Sequence, residues 1–302
     1  MTEPQMTQPD LRIRAALPAP LKTVHEALTD PAALRVWLTE HAHVDLPGGT
    51  YQFWGPTTPD GAEPHQRLLH ADEHTIRFAW TVGGVETTAQ FDLAEDEDGT
   101  LVTLSQTDLP SFQEVISDTA GARGAIQTFW TLAIANLADY LDGRDLTPRC
   151  DFTSAELHAS VVIDAAPDAV FDSMTQPEQI RQWVGAHVDV EPYVGGRFAM
   201  GGFELDQAGA RFLEFEPGRG AVLRWADGMT ETWELEGSEG KTRLTVTHSG
   251  FDTTNPPYPG WAGWLSGLAG LRRHLERPGA RSIWRGLEVA GLPAGMMADD
   301  QV

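Results

Sequence analysis

Two histidine–carboxylate pairs are the first residues in this chain whose types and spacing could do chemistry. His43 and Asp45 stand two apart, and so do His187 and Asp189. On a strand, that spacing puts both side chains on one face, where a carboxylate can orient an imidazole for base catalysis or for a metal. His41 extends the first pair to a His-x-His. No third ligand follows at a fixed interval, so no metal site is predicted, and both pairs read as solvated strand faces. His248 closes the alternating run from Thr242 and, if turned inward, is the best polar candidate for an interior pocket. Arg211, Arg224 and Glu231 are further candidates, and an inward Arg224 would need a carboxylate such as Glu231 beside it. His65, His70 and His74 are loosely spaced and read as surface residues.

Nucleophile chemistry has little support. The Gly-x-Ser-x-Gly elbow, the Walker loop, the Gly-x-Gly-x-x-Gly turn and Cys-x-x-Cys do not occur, so no catalytic residue is predicted and no cofactor is expected. Cys150 is the single cysteine. It excludes an intrachain disulfide and fits a reducing compartment, and with only Arg149 beside it no thiol chemistry is expected.

Aromatic residues are the other conspicuous group, with ten tryptophans in 302 residues. Phe78 and Trp80 alternate and share a strand face, as do Leu223 with Trp225 and Phe198 with Met200. Trp233 lies on a neighbouring strand pattern, and Trp130, Trp264 and Leu268 lie on helical ones. Together with His248 these residues are the predicted lining of apolar ligand pockets. Ordinary core packing is the competing reading for each.

The elements that would position them occur twice. Pro20 to Pro31, then Leu34 and Trp37, parallels Pro167 to Pro177, then Ile180 and Trp183. Proline suits the first turn of a helix, and Asp30 is a predicted N-cap. Ala42-His-Val-Asp45 matches Ala186-His-Val-Asp189, and each leads to a glycine pair, Gly48-Gly49 or Gly195-Gly196, then an aromatic strand. Alternating stretches follow in both halves, ending in Thr100–Ser105 and Thr242–His248, the mark of half-buried antiparallel strands. Trp130, Ile134, Leu137 and Leu141 then repeat the register of Trp264, Leu268, Leu271 and Leu275, one apolar helical stripe in each half. The predicted domains are 11–145 and 155–277, joined by a polar linker. The extension 278–302 is expected to be partly disordered, with Ile283-Trp284-Leu287 as an added short helix and disorder from Met296 to Val302.

Composition excludes some partners. Asp plus Glu number 44 against 21 Lys plus Arg, a formal net charge of -23. That field repels phosphate, so neither nucleic acid nor an anionic membrane is an expected partner. Residues 1–10 lack the pattern of a signal peptide, and no stretch nears the ~18 apolar residues of a membrane span. A cytoplasmic protein is expected.

The order of strand, two short helices, antiparallel strands and long helix, twice over, resembles the START-like (SRPBCC) helix-grip superfamily. It is most similar to the branch typified by the activator of heat-shock-protein ATPase. Pro177, Ile180, Trp183, Gly195-Gly196, Trp225, Thr242–Phe251 and Gly263-Trp264 with its leucine stripe carry the resemblance. The first copy departs from it: Gln106 stands for His248, Asp108 for Gly250, and Phe129-Trp130 for Gly-Trp. The resemblance implies an α+β fold, each copy a curved antiparallel sheet wrapped round its C-terminal helix with a cavity between. It implies binding of a small apolar or amphipathic molecule there. A co-chaperone-like module with a protein partner, in keeping with a stress response, is the alternative, followed by a cyclase- or hydrolase-type enzyme.

Overall fold

The computed structural model describes residues 10–97 and 99–296. The reading that the N-terminus lacks a signal-peptide pattern, as far as it concerns residues 1–9, and the expected disorder of 297–302 fall outside them. The chain divides into two compact units. One holds the chain up to Thr153 together with Ile283–Leu292; the other holds Ser154–Ser282 and the chain from Pro293.

The first unit runs β1 (Leu11–Leu17), α1 (Leu21–Thr29), α2 (Pro31–Trp37), β2 (His41–Asp45), β3 (Thr50–Trp54), β4 (Gln66–Ala71), β5 (Thr75–Val82), β6 (Val85–Asp96), β7 (Gly99–Gln106), α3 (Phe112–Ile116) and α4 (Ile126–Leu141). The second repeats the plan with β8 (Leu157–Ile163), α5 (Pro167–Thr175), α6 (Pro177–Val184), β9 (Val188–Val190), β10 (Arg197–Met200), β11 (Ala210–Glu216), β12 (Gly220–Trp225), β13 (Thr230–Ser238), β14 (Lys241–Ser249) and α7 (Tyr258–Glu276). A last strand, β15 (Trp284–Val289), belongs to the first unit.

Local chemistry explains the shared helical corner. Asp30 accepts from the Ala32 N–H and ends one helix while capping the next. The indole of Trp37 donates back to the Ala27 carbonyl at 3.0 Å, and that of Trp183 donates to Ser173 at 2.9 Å, ten residues upstream in both copies. The buried tryptophans thus lock each helix pair with a satisfied N–H. Gly196 must be glycine, because a Cβ there would stand 2.1 Å from the Glu191 carbonyl oxygen.

The sheets differ in detail. In the second unit seven antiparallel strands run in the order β8-β14-β13-β12-β11-β10-β9. In the first, six run β15-β1-β7-β6-β5-β4, and β2 and β3 form a separate hairpin. There the Gln66 side chain accepts from the Phe53 N–H at 3.2 Å, near where β10 pairs with β11 in the second unit.

The segment expected as a short helix is strand β15, paired antiparallel with β1 from Leu11↔Val289 to Ala15↔Trp284. A short apolar run fits either period, and here the open edge of β1 decided it. Ile283, Trp284, Leu287 and Val289 pack against the first unit's core. Met296, expected to be disordered, accepts a hydrogen bond from the His187 N–H through its carbonyl.

Candidate functional site

The two interiors are built from the same positions and filled differently. Strand register makes the equivalence explicit. Gln106 faces Ala89 across β7 and β6, and His248 faces Glu231 across β14 and β13. Phe78 faces Ala89, and Leu223 faces Glu231, so Trp80 and Trp225 are counterparts.

The first unit's interior is closed. Phe53, Phe78, Trp80, Phe91 and Trp130 are buried and meet one another at 5.2–6.5 Å between ring centres, mostly edge to face. Phe129 packs on Trp80 at 5.7 Å and on Trp130 at 4.8 Å. The polar groups are neutral and paired in a chain: Trp130 Nε1 donates to Gln106 Oε1 at 2.7 Å, Gln106 Nε2 to Thr87 Oγ1 at 2.8 Å, and Thr87 Oγ1 to the Trp80 carbonyl. The space lined by Trp37, Phe129, Asn136 and Cys150 measures about 10 Å³, enough for one water at most. Phe78, Trp80 and Trp130, predicted to line a pocket, are therefore brought together as packed core.

The second unit's interior holds charge-bearing groups. Glu231 is fully buried, and its carboxylate accepts from the indole N–H groups of Trp225 and Trp233. His248 Nε2 lies 3.3 Å from Glu231 Oε2, within ion-pair range of the carboxylate if the ring is protonated, and both ring nitrogens, Nδ1 and Nε2, are buried without a hydrogen-bond partner. Trp261 sets its ring against the imidazole at 4.9 Å. Burying a carboxylate is costly unless donors surround it; two indoles supply them, and the imidazole lies within ion-pair range. Phe198 stacks at 6.3 Å on Trp264, and Trp264 meets Trp233 at 5.7 Å. Trp225 and Trp264 are only half-buried, and among the described residues no ring contact joins them. Gly263 stands where the first unit has Phe129. The residue that closes one interior is missing from the other.

The remaining candidates fall as follows. Leu268 is fully buried in α7, and Met200 is half-buried at the end of β10. Arg224 is exposed, so the Arg224–Glu231 pair considered from the sequence is replaced by His248–Glu231. Arg224 follows Leu223 on β12, and alternation sends it to the opposite face. Arg211 is exposed and donates to the Gly195 carbonyl. Two interior residues are missing from the candidates named from the sequence. Trp261 had a signal in its i, i+3 spacing from Trp264, and Phe129 had one in being a bulky residue at a glycine position.

The histidine–aspartate pairs lie elsewhere. His43 and Asp45 are exposed on β2. His187 Nε2 lies 3.2 Å from Asp189 Oδ1, and the Phe203 N–H donates to Oδ2 at 3.0 Å. Burial pushes the Asp189 carboxyl up, but the Phe203 N–H, His187 and Arg181 outweigh it and hold it below the usual range. No cluster of three or more metal-binding side chains occurs among the described residues. The Cys150 thiol is buried and pushed up by that burial, then by the charge of Asp151, which leaves it unreactive. No described helix is long and apolar enough to cross a membrane.

Two curved antiparallel sheets, each with a long C-terminal helix, make this a tandem helix-grip protein. A family model described as "Activator of Hsp90 ATPase homolog 1-like protein" matches residues 18–142 and again 164–276, and the chain belongs to that family. Among solved structures it is similar to DynU16 of the dynemicin biosynthetic locus, at 19% identity over 88% of this chain and 99% of that one, TM-score 0.34. It is similar also to the Aha1 dimer of Colwellia psychrerythraea, at 20% identity over 41% of this chain and 98% of that one, TM-score 0.35. Protein EF2215 of Enterococcus faecalis is 22% identical over 42% of this chain and 74% of its own, TM-score 0.35. Family membership rests on the family match and not on these structures. No curated protein matches the chain.

Proposed function

We propose that the second unit binds a small amphipathic molecule between its sheet and α7, and that the first unit is a scaffold. The guest's apolar body lies between Trp225 and Trp264, in the space that Phe129 takes in the first unit. Its polar group meets Nδ1 of His248, whose Nε2 faces the Glu231 carboxylate. Phe198, Met200, Trp233 and Leu268 complete the apolar lining.

The observation that carries this reading is the buried Glu231–His248 pair in which neither imidazole nitrogen has a hydrogen-bond partner. A buried polar atom without a partner costs about 1–3 kcal/mol, and a guest that supplies the hydrogen bond recovers part of that cost. The same two positions in the first unit, Ala89 and Gln106, carry no such debt.

The test copies the closed interior into the open one. N-phenyl-1-naphthylamine, a small aromatic amine that brightens in apolar surroundings, is titrated against the intact chain and against Gly263→Phe. Saturable enhancement is expected for the intact chain, with affinity at least tenfold weaker in the variant and no loss of thermal stability. Equal affinity in Gly263→Phe would remove the guest from this place.

A further inference from the structure

The edge of the second unit's sheet carries a different inference, one that does not depend on a guest in the interior. Strands β1 and β8 are counterparts in register: Leu11 faces Gln106, and Leu157 faces His248. The outer edge of β1 is covered by β15. The ladder continues past both ends, with the Ala16 N–H donating to Ile283 and the Ala290 N–H donating to Asp10. Strand β8 pairs with β14 alone among the described residues, and its outer edge has no strand upon it.

Nothing in β8 blunts that edge. Proteins guard open edges with lysine, proline or bulges. Leu157-His-Ala-Ser-Val-Val-Ile163 contains neither residue, its ladder to β14 is regular, and Val162 is 51% exposed. A cavity of about 310 Å³ lies at the start of this strand, walled by Ala155–His158, Thr247–Phe251 and Thr253. In the first unit the end of β15 occupies the corresponding place. There the Ala290 N–H donates to the carbonyl of Asp10, the counterpart of Glu156, and the Ala290 carbonyl accepts from the Phe112 N–H at 2.9 Å. One unit therefore has a strand and its end in place, and the other has the open edge and an empty end.

We propose that β8 and this cavity form a docking site for an extended, basic segment of a partner protein. The segment adds as a strand antiparallel to β8, and its small C-terminal residues enter the cavity. Charge selects the occupant. On β1 the outward Arg12 meets Glu288 of β15. On β8 the positions of Arg12 and Arg14 are His158 and Ser160, and exposed Glu156 and Asp164 flank the strand. A strand like β15, with its glutamate, loses its partner there, whereas one with lysine or arginine gains two carboxylates. The net charge of -23 favours the same occupant at long range.

The test uses the whole chain and a fluorescein-labelled peptide, Lys-Val-Lys-Val-Lys-Val-Ala-Gly, followed by anisotropy. Three comparisons accompany it: a peptide with Glu for each Lys, the basic peptide N-methylated at alternate amides, and the chain carrying Glu156→Lys with Asp164→Lys. Saturable binding is expected, at least tenfold weaker in all three, with slowed amide exchange confined to residues 157–163 and the cavity. Three results overturn the proposal: no saturable binding of the basic peptide, equal binding of its N-methylated form, or protection of β8 by self-association without peptide. The last would assign the edge to a second copy of this chain. Loss of naphthylamine binding by itself would leave the result unaffected, so the two readings fail separately.

Discussion

The two units share a fold and differ in how they complete it. The first fills its interior with Phe129 and a neutral Gln106–Trp130 chain, and covers its sheet edge with β15. The second has Gly263, a buried Glu231–His248 pair and an uncovered β8. A duplicated fold thus separates what holds it together from what can vary. The helix pair locked by Trp37 or Trp183 recurs in both, while the interior polar pair and the sheet edge change. The first unit has a Phe129 ring where the second has Gly263.

The largest expected effect comes from the matched tryptophans of the two long helices. Trp130→Ala removes a fully buried ring and its hydrogen bond to Gln106. It should destabilise the first unit by ~3–5 kcal/mol, whereas Trp264→Ala, at a half-buried ring, should cost the second unit roughly half as much. Cys150, the only thiol and buried in the first unit, reports on that unit alone through its rate of labelling by a disulfide reagent. Faster labelling is expected in Trp130→Ala and not in Trp264→Ala. Equal costs in thermal melts would break the contrast between the fully buried Trp130 and the half-buried Trp264.

Next in size is the buried pair. Glu231→Ala leaves two indole N–H groups without their acceptor and the imidazole without its facing carboxylate, and should cost ~3 kcal/mol. Adding His248→Gln reproduces the Ala–Gln pair of the first unit, and should recover about 1 kcal/mol or more as non-additivity. Chemical denaturation of the two single variants and the double variant measures this. Simple addition of the single costs would show that the pair does not act as one.

The smallest effect concerns pH. The Asp189 carboxyl is held below its ordinary range, so its contribution is present above the unfolded-state value and disappears as pH falls through the folded one. Asp189→Asn should therefore flatten the acid limb of the second unit's stability curve and leave the first unit's curve unchanged. The group is about one-third exposed, so solvent screening keeps the change small. A change on the alkaline side instead would contradict the sign.

Much of this was legible in the residues. The duplication, the two helical stripes, the Asp30 cap and the α+β order follow from periods of 2 and 3.6 and from proline positions, which are local properties. His248 as an interior polar group was legible because strand alternation makes it inward once its neighbours are placed. Its partner was not, since Glu231 and Arg224 stand on different strands and only their pairing and facing decide which one reaches His248.

The ending of the chain shows the boundary most clearly. By itself, the sequence determined that two similar units exist and where their strand and helix stripes lie, because periods of 2 and 3.6 are settled within each element; it did not settle Arg211 and Arg224, inward candidates that are exposed. Only the tertiary structure decided that Trp284–Val289 is a strand, that it lies on β1, and that Phe129 packs on Trp80 and Trp130. Those outcomes depend on backbone hydrogen bonds and ring contacts between segments far apart in the chain, and no local period encodes them.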